Sequence, residues 1–266
     1  MSTLSYAVAD SATMLRRDLR HLVRYPSMTL QLVGMPIVFL LLFVYVFGGT
    51  LGAGLGHAAG GRAAYIEYVT PGILLMAVAA VAQGTAISVA MDMTEGIIAR
   101  FRTMAIFRPS VLAGHVLGSM TQTMLSLAAV TGVALLVGFR PSAGPVEWLA
   151  AVAVLALITL ALTWLTVALG LVSKTVESAS NLPMPLVFLP FVGSGFVPTG
   201  SMPVGLRAFA EYQPFTPVIE TMRGLLEGTP IGSHAVVAVA WGAGITLVGY
   251  LWARRLYNRD PAQPAR

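Results

Sequence analysis

Apolar residues in this chain do not alternate with polar ones. They run on for whole membrane widths, separated by short polar stretches. Met28 to Phe47 carries no charged side chain, and Gln31 is its most polar position. That is about 20 residues, which at about 1.5 Å per residue matches the hydrocarbon core of a bilayer. Comparable runs lie near 69–91, 112–137, 148–172, 182–197 and 231–252, so the pattern predicts six transmembrane helices in an all-α polytopic membrane protein. Gly48 and Gly49 close the first run, Thr50 to Glu67 reads as a flexible Gly- and Ala-rich loop, and Pro71 falls in the first turn of the second run. The fifth run is short and broken by Pro183, Pro185, Pro190, Gly193 and Gly195. Such segments occur where a transport path needs irregular backbone, and equally as bent packing helices. Pro198 to Gly228 mixes Arg207, Glu211, Glu220, Arg223 and Glu227 with a strongly apolar background. It reads as two short helices split at Gln213–Pro214, dipping into the outer leaflet or covering the spans.

The N-terminal stretch has a different period. Leu4, Val8, Leu15, Leu19 and Leu22 recur at helical spacing, with Arg16, Arg17, Arg20 and Arg24 around them. This predicts an amphipathic helix over 1–25, either lying at the membrane interface or solvated in the cytosol. Residues 26–256 form the spanning body and 257–266 a short tail.

Composition agrees with the pattern. The chain is 56% hydrophobic and 10% charged, where soluble domains carry about 25% charged residues. With no cysteine, disulfides, thiol nucleophiles and cysteine-held metals are excluded. A net charge of +5 does not mean nucleic-acid binding, because the basic residues sit beside the ends of apolar runs and form no continuous face. With six spans both termini share one side, which collects Arg16, Arg17, Arg20, Arg24, Arg100, Arg102, Arg108, Lys174, Arg254 and Arg255. The positive-inside rule makes that side cytoplasmic. The charged island Asp92–His115, between the second and third spans, therefore faces the cytoplasm.

No Walker A loop, no His-Glu-x-x-His pair and no Gly-x-Ser-x-Gly elbow is present, and His21, His57, His115 and His234 are scattered. No metal, catalytic or cofactor site follows. No carboxylate lies in the middle of a predicted span, which weakens a proton-coupled carrier while leaving sodium coupling open. Gln83 and Gln122 are polar positions inside spans. With Phe188 and Phe191 on the broken run they are candidates to line a path, helix packing being the other reading of the polar ones. Glu220 and Arg223, three apart on one predicted helix, suit an outer structural pair. The chain thus reads as a conduit without an energy source of its own. Either the island takes force from another subunit, or it is a basic interfacial loop with no partner.

Three stretches carry a family resemblance: EGIIARFRTMAIFRPSVLAGH from Glu95, FVGSGFVPTGSMP from Phe191 and YQPFTPVIETMRGLLEG from Tyr212. In this order around six spans the chain resembles type 2 ABC exporter permeases, close to the daunorubicin/doxorubicin-resistance permeases. Gln213 departs from the family's usual Asn before the proline. The resemblance implies a permease subunit that exports a hydrophobic or amphipathic compound, drug-like or lipid-linked, across a bacterial plasma membrane. It implies two copies of a separate ABC ATPase holding ATP and Mg, and a second permease chain forming a homodimer. It also implies an interface helix bearing Arg16, Arg17 and Arg20, a coupling helix near 95–107, and re-entrant outer helices near 202–226. Glu95, Arg100, Phe101, Arg102 and Arg108 would couple to the ATPase, the other reading of Phe101 and Arg102 being that they only anchor the loop to the headgroups. An ion-driven secondary transporter and a non-transporting membrane scaffold are the alternative readings.

Overall fold

Among the described residues five helices are long and apolar enough to cross a membrane: Leu32–Ala53, Arg62–Thr94, Leu112–Val137, Pro145–Val172 and His234–Tyr257. They belong to a computed structural model that describes residues 26–55, 61–96 and 109–258, with side chains from 32 and, in the last stretch, from 112. Arg16, Arg17, Arg20, Arg100, Phe101, Arg102 and Arg108 lie outside the described residues, as do the N-terminal amphipathic helix and most of the coupling helix. Among the described residues all regular structure is helical.

The first long helix is α1 (Pro26–Leu42), continued through a π-helical turn at Phe43–Phe47 into α2 (Gly48–Ala53). Then follow α3 (Arg62–Thr94), α4 (Pro109–Val137), α5 (Pro145–Val172), α6 (Val176–Asn181), α7 (Met184–Val192), α8 (Val204–Tyr212), α9 (Phe215–Glu227) and α10 (His234–Tyr257). The hub is α3. Its most apolar window is 78% buried, against 17% for α10. Its middle is rich in Ala and Gly, and side chains that small let neighbouring backbones come close. It packs against α1, α2, α4, α5, α6, α7 and α9. By contrast α10 lies chiefly along α5, where Gly242 meets Leu157 and Gly249 meets the backbone of Trp164 and Leu165.

Two expectations fail. Thr50–Glu67 is not loop throughout, since among the described residues helix continues to Ala53 and restarts at Arg62. The two helix ends come close together: a Cβ on Gly52 would run into the Gly61 backbone, an approach that glycine permits. Pro71 is not in a first turn but well inside α3, surrounded by buried residues. A helix this heavily packed tolerates the carbonyl that Pro71 leaves without its amide donor.

The fifth predicted run, 182–197, is not one helix. A capping box formed by Thr175 and Ser178 starts α6, the chain breaks at Leu182–Pro183, and α7 ends at Gly193. Gln83 Nε2 donates to the Ser180 carbonyl at 2.6 Å, and the Tyr65 hydroxyl donates to the Phe196 carbonyl at 3.2 Å. The chain from Ser180 to Phe196 therefore runs antiparallel to α3. The following helices α8 and α9 are separated at Gln213–Pro214.

Candidate functional site

The π turn after α1 sets Phe39, Phe43 and Phe47 in a ladder whose rings follow one another at 6.4 and 5.6 Å. The broken segment faces it. Phe191 stacks on Phe196 with centroids 4.4 Å apart and planes 2° apart. Phe43 lies 4.6 Å from Phe196, and Phe39 meets Phe191 edge-on at 5.9 Å. Phe188 extends the cluster to the surface, 6.4 Å from Phe191 and 56% exposed. The helix ends at Gly193, early enough for Phe196 to fold back under Phe191. The result is a half-covered aromatic surface, able to bind a flat apolar molecule by stacking.

At the Arg62 end of α3 is a polar knot. Arg223 on α9 is buried, its Nη1 donating to Glu220 Oε1 at 2.6 Å. Its Nη2 donates to the Tyr68 carbonyl at 3.1 Å and the Ser194 carbonyl at 2.9 Å, and the guanidinium lies 3.8 Å over the Tyr68 ring. One side chain thus ties α9 to α3 and to the turn after α7. Gln213 strengthens the joint: its Oε1 accepts from the Phe215 amide at 3.1 Å and its Nε2 donates to Thr216 Oγ1 at 3.0 Å. Thr216 Oγ1 in turn accepts from the Ser194 amide at 3.3 Å. A desolvated guanidinium persists only when paired and hydrogen-bonded, and these partners serve its two terminal nitrogens, while the buried Nε has no partner among the described residues.

Deeper in the bundle, Thr85 Oγ1 donates to Ser119 Oγ at 2.8 Å, and Ser119 Oγ shares a hydrogen bond with Thr163 Oγ1 at 3.2 Å. All three are buried, so the chain of hydroxyls links α3, α4 and α5. At the Thr94 end, His115 Nε2 stands 3.1 Å from Asp92 Oδ2, a contact that clips the end of α3 to the start of α4 across the charged island.

The structure brings Phe188 and Phe191 together in the aromatic cluster and Glu220 and Arg223 together in the knot. It gives Gln83 to the Ser180 carbonyl, a helix–helix contact, and leaves Gln122 half-buried on α4. Glu95 is exposed and forms the C-cap of α3, its amide donating to the Met91 carbonyl. Among the described residues no three His, Asp or Glu side chains gather to hold a metal ion. Sequence reasoning missed Tyr68, Ser194 and the capping role of Gln213. The available signals were a serine flanked by Gly193 and Gly195 and an amide directly before Pro214.

Comparison with known proteins adds scale. The profile of the ABC-2 type transporter family matches residues 11–226. The daunorubicin resistance ABC transporter permease protein DrrB1 of Streptomyces coeruleorubidus is 29% identical over 257 residues, covering 96% of this chain and 88% of the relative. The probable doxorubicin resistance ABC transporter permease protein DrrC of Mycobacterium tuberculosis (strain H37Rv) is 24% identical over 232 residues, covering 86% of this chain and 82% of the relative.

Proposed function

The chain belongs to the ABC-2 type transporter family, and from that premise we propose that it carries a hydrophobic or amphipathic drug-like molecule out of the cell. It is the membrane permease component of an ABC-type exporter, a transport subunit that performs no covalent step. The observation that carries the reading is the extent of the family match, which takes in both the charged island and the outer helices. The relatives named for daunorubicin and doxorubicin resistance point to the substrate class, and the half-covered cluster at Phe188 and Phe191 offers it a stacking surface.

In this reading two ABC ATPase subunits bind ATP and Mg and drive a pair of permease chains, a homodimer. The amphipathic helix over 1–25, with Arg16, Arg17 and Arg20, rests at the cytoplasmic interface. Glu95, Arg100, Phe101, Arg102 and Arg108 in the coupling segment receive the ATPase stroke. Residues 182–197 supply a broken sixth crossing, supported by the antiparallel course of Ser180–Phe196 along α3. Six crossings put both termini in the cytoplasm and residues 202–226 at the outer face. The stroke then has a mechanical route. Asp92 and His115 clip the two ends of the island, so its movement is delivered to α3. That helix spans about 50 Å at about 1.5 Å per residue. Its far end is joined to the turn after α7 by Arg223 and by the Gly72–Gly195 contact. A shift of α3 therefore reaches the aromatic cluster and the outer helices together.

The test is efflux of an anthracycline from cells expressing the chain with its ATPase. F188A/F191A should lower efflux severalfold at unchanged membrane abundance. Full efflux by that variant would remove the cluster from the path.

A further inference from the structure

The exposed face of α10 is built like a lipid. Its opposite face, Ala238, Gly242, Gly249, Ala253 and Tyr257, is buried. Gly244, Leu247, Val248 and Leu251 follow one another at helical spacing down the free side, and all are exposed. Arg254, Arg255 and Asn258 continue the same stripe, one turn and then two below Leu251, and with Leu251 they line a shallow, open surface depression. A Cβ at Gly244 would meet no atom within 4 Å, so the stripe is notched part-way along. Neither Arg254 nor Arg255 makes an ion pair among the described residues. The charged end lies beside the small core of Val89, Leu112, Ala253 and Tyr257, at the Thr94 end of the bundle. That is the end of a spanning helix, where headgroups lie.

We propose that this stripe is a binding site for one anionic phospholipid. Arg254, Arg255 and Asn258 hold its phosphate, and an acyl chain lies along Leu251, Leu247 and the Gly244 notch. Two neighbouring guanidiniums offer paired donors suited to phosphate oxygens. Their charge is not spent on any carboxylate among the described residues, and the apolar track continues directly above them. An isolated snorkelling arginine needs neither the depression nor the notch. The inference rests on the membrane location alone and stands whatever the exported substrate is.

Native mass spectrometry of the purified full-length chain, titrated with phosphatidylglycerol or phosphatidylcholine of equal chain length, tests it. The wild type should retain phosphatidylglycerol in preference to phosphatidylcholine. Each arginine replaced by glutamine should weaken that retention about fivefold, the loss expected for one cation near an anionic headgroup. G244F fills open space, so it should leave the fold intact and weaken retention of both lipids. Equal retention of the two lipids by the wild type, or unchanged retention by R254Q/R255Q, would overturn the proposal. So would unchanged lipid retention in R254Q/R255Q together with lost co-purification of the ATPase, which would assign the arginines to a protein partner.

Discussion

Arg223 is the residue that ties α9 to α3 and to the turn after α7. Replacing it by leucine removes the guanidinium and leaves Glu220 and the Tyr68 and Ser194 carbonyls without their donor. Breaking a buried pair from one side costs about 3 kcal/mol. R223L should therefore unfold well below the wild type in detergent, and R223K should recover only part of the difference, since an ammonium cannot reproduce the planar fork. A thermal melt followed by tryptophan fluorescence checks this, and a wild-type melting profile in R223L would dismiss the knot as incidental. The hydroxyl chain is weaker. A double-mutant cycle between T85V and S119A should show coupling of about 0.6 kcal/mol, the usual worth of a hydrogen bond between membrane helices. At this scale the sequence was partly legible. The three-residue spacing of Glu220 and Arg223 on a helix suggested their pairing. The carbonyl partners could not be seen, because they come from Tyr68 and Ser194, remote in sequence and joined only by the packing of α3 against the turn after α7.

At the scale of elements, apolar run length located the five long helices, because a bilayer fixes that length. It did not locate their ends. The run-based first and second spans stop short of Ala53 and begin after Arg62, since Gly, Thr and Tyr at those positions dilute the apolar signal without breaking the helix. Close approach between elements, rather than helix propensity, decides the rest. Gly72 faces the Gly195 backbone, and a Cβ there would collide with it. G72A should therefore cost about 1–3 kcal/mol, the range for overpacking a filled interior. Gly132 on α4 is the control: a Cβ there meets nothing within 4 Å, and G132A should be neutral or slightly stabilising. Comparing the two melts separates backbone contact from loss of glycine flexibility, and equal effects would refute the contact.

For the whole molecule, the topology follows from whether α6 and α7 together cross the membrane. The chain has no cysteine, so single cysteines report accessibility without background. With an impermeant maleimide, S201C, between α7 and α8, should label in intact cells, and S173C, between α5 and α6, only after the cells are opened. Labelling from the same face would leave five crossings and place the basic C-terminal end outside. Hydrophobic run length made the multi-pass membrane character legible, while charge bias and the missing nucleotide motifs carried the orientation and the external motor as expectations. Arg100, Phe101, Arg102 and Arg108 are legible only as part of a charged island, and the coupling role proposed for them depends on another chain. The central claim is that this permease exports only when an ATPase drives it through that island. The most direct measurement is drug uptake into inside-out proteoliposomes holding the permease and its ATPase. Wild type should transport with ATP and not without it, and E95A/R102A should keep ATP hydrolysis while losing most transport. Transport driven by an ion gradient without ATP, or undiminished transport by E95A/R102A, would contradict the account.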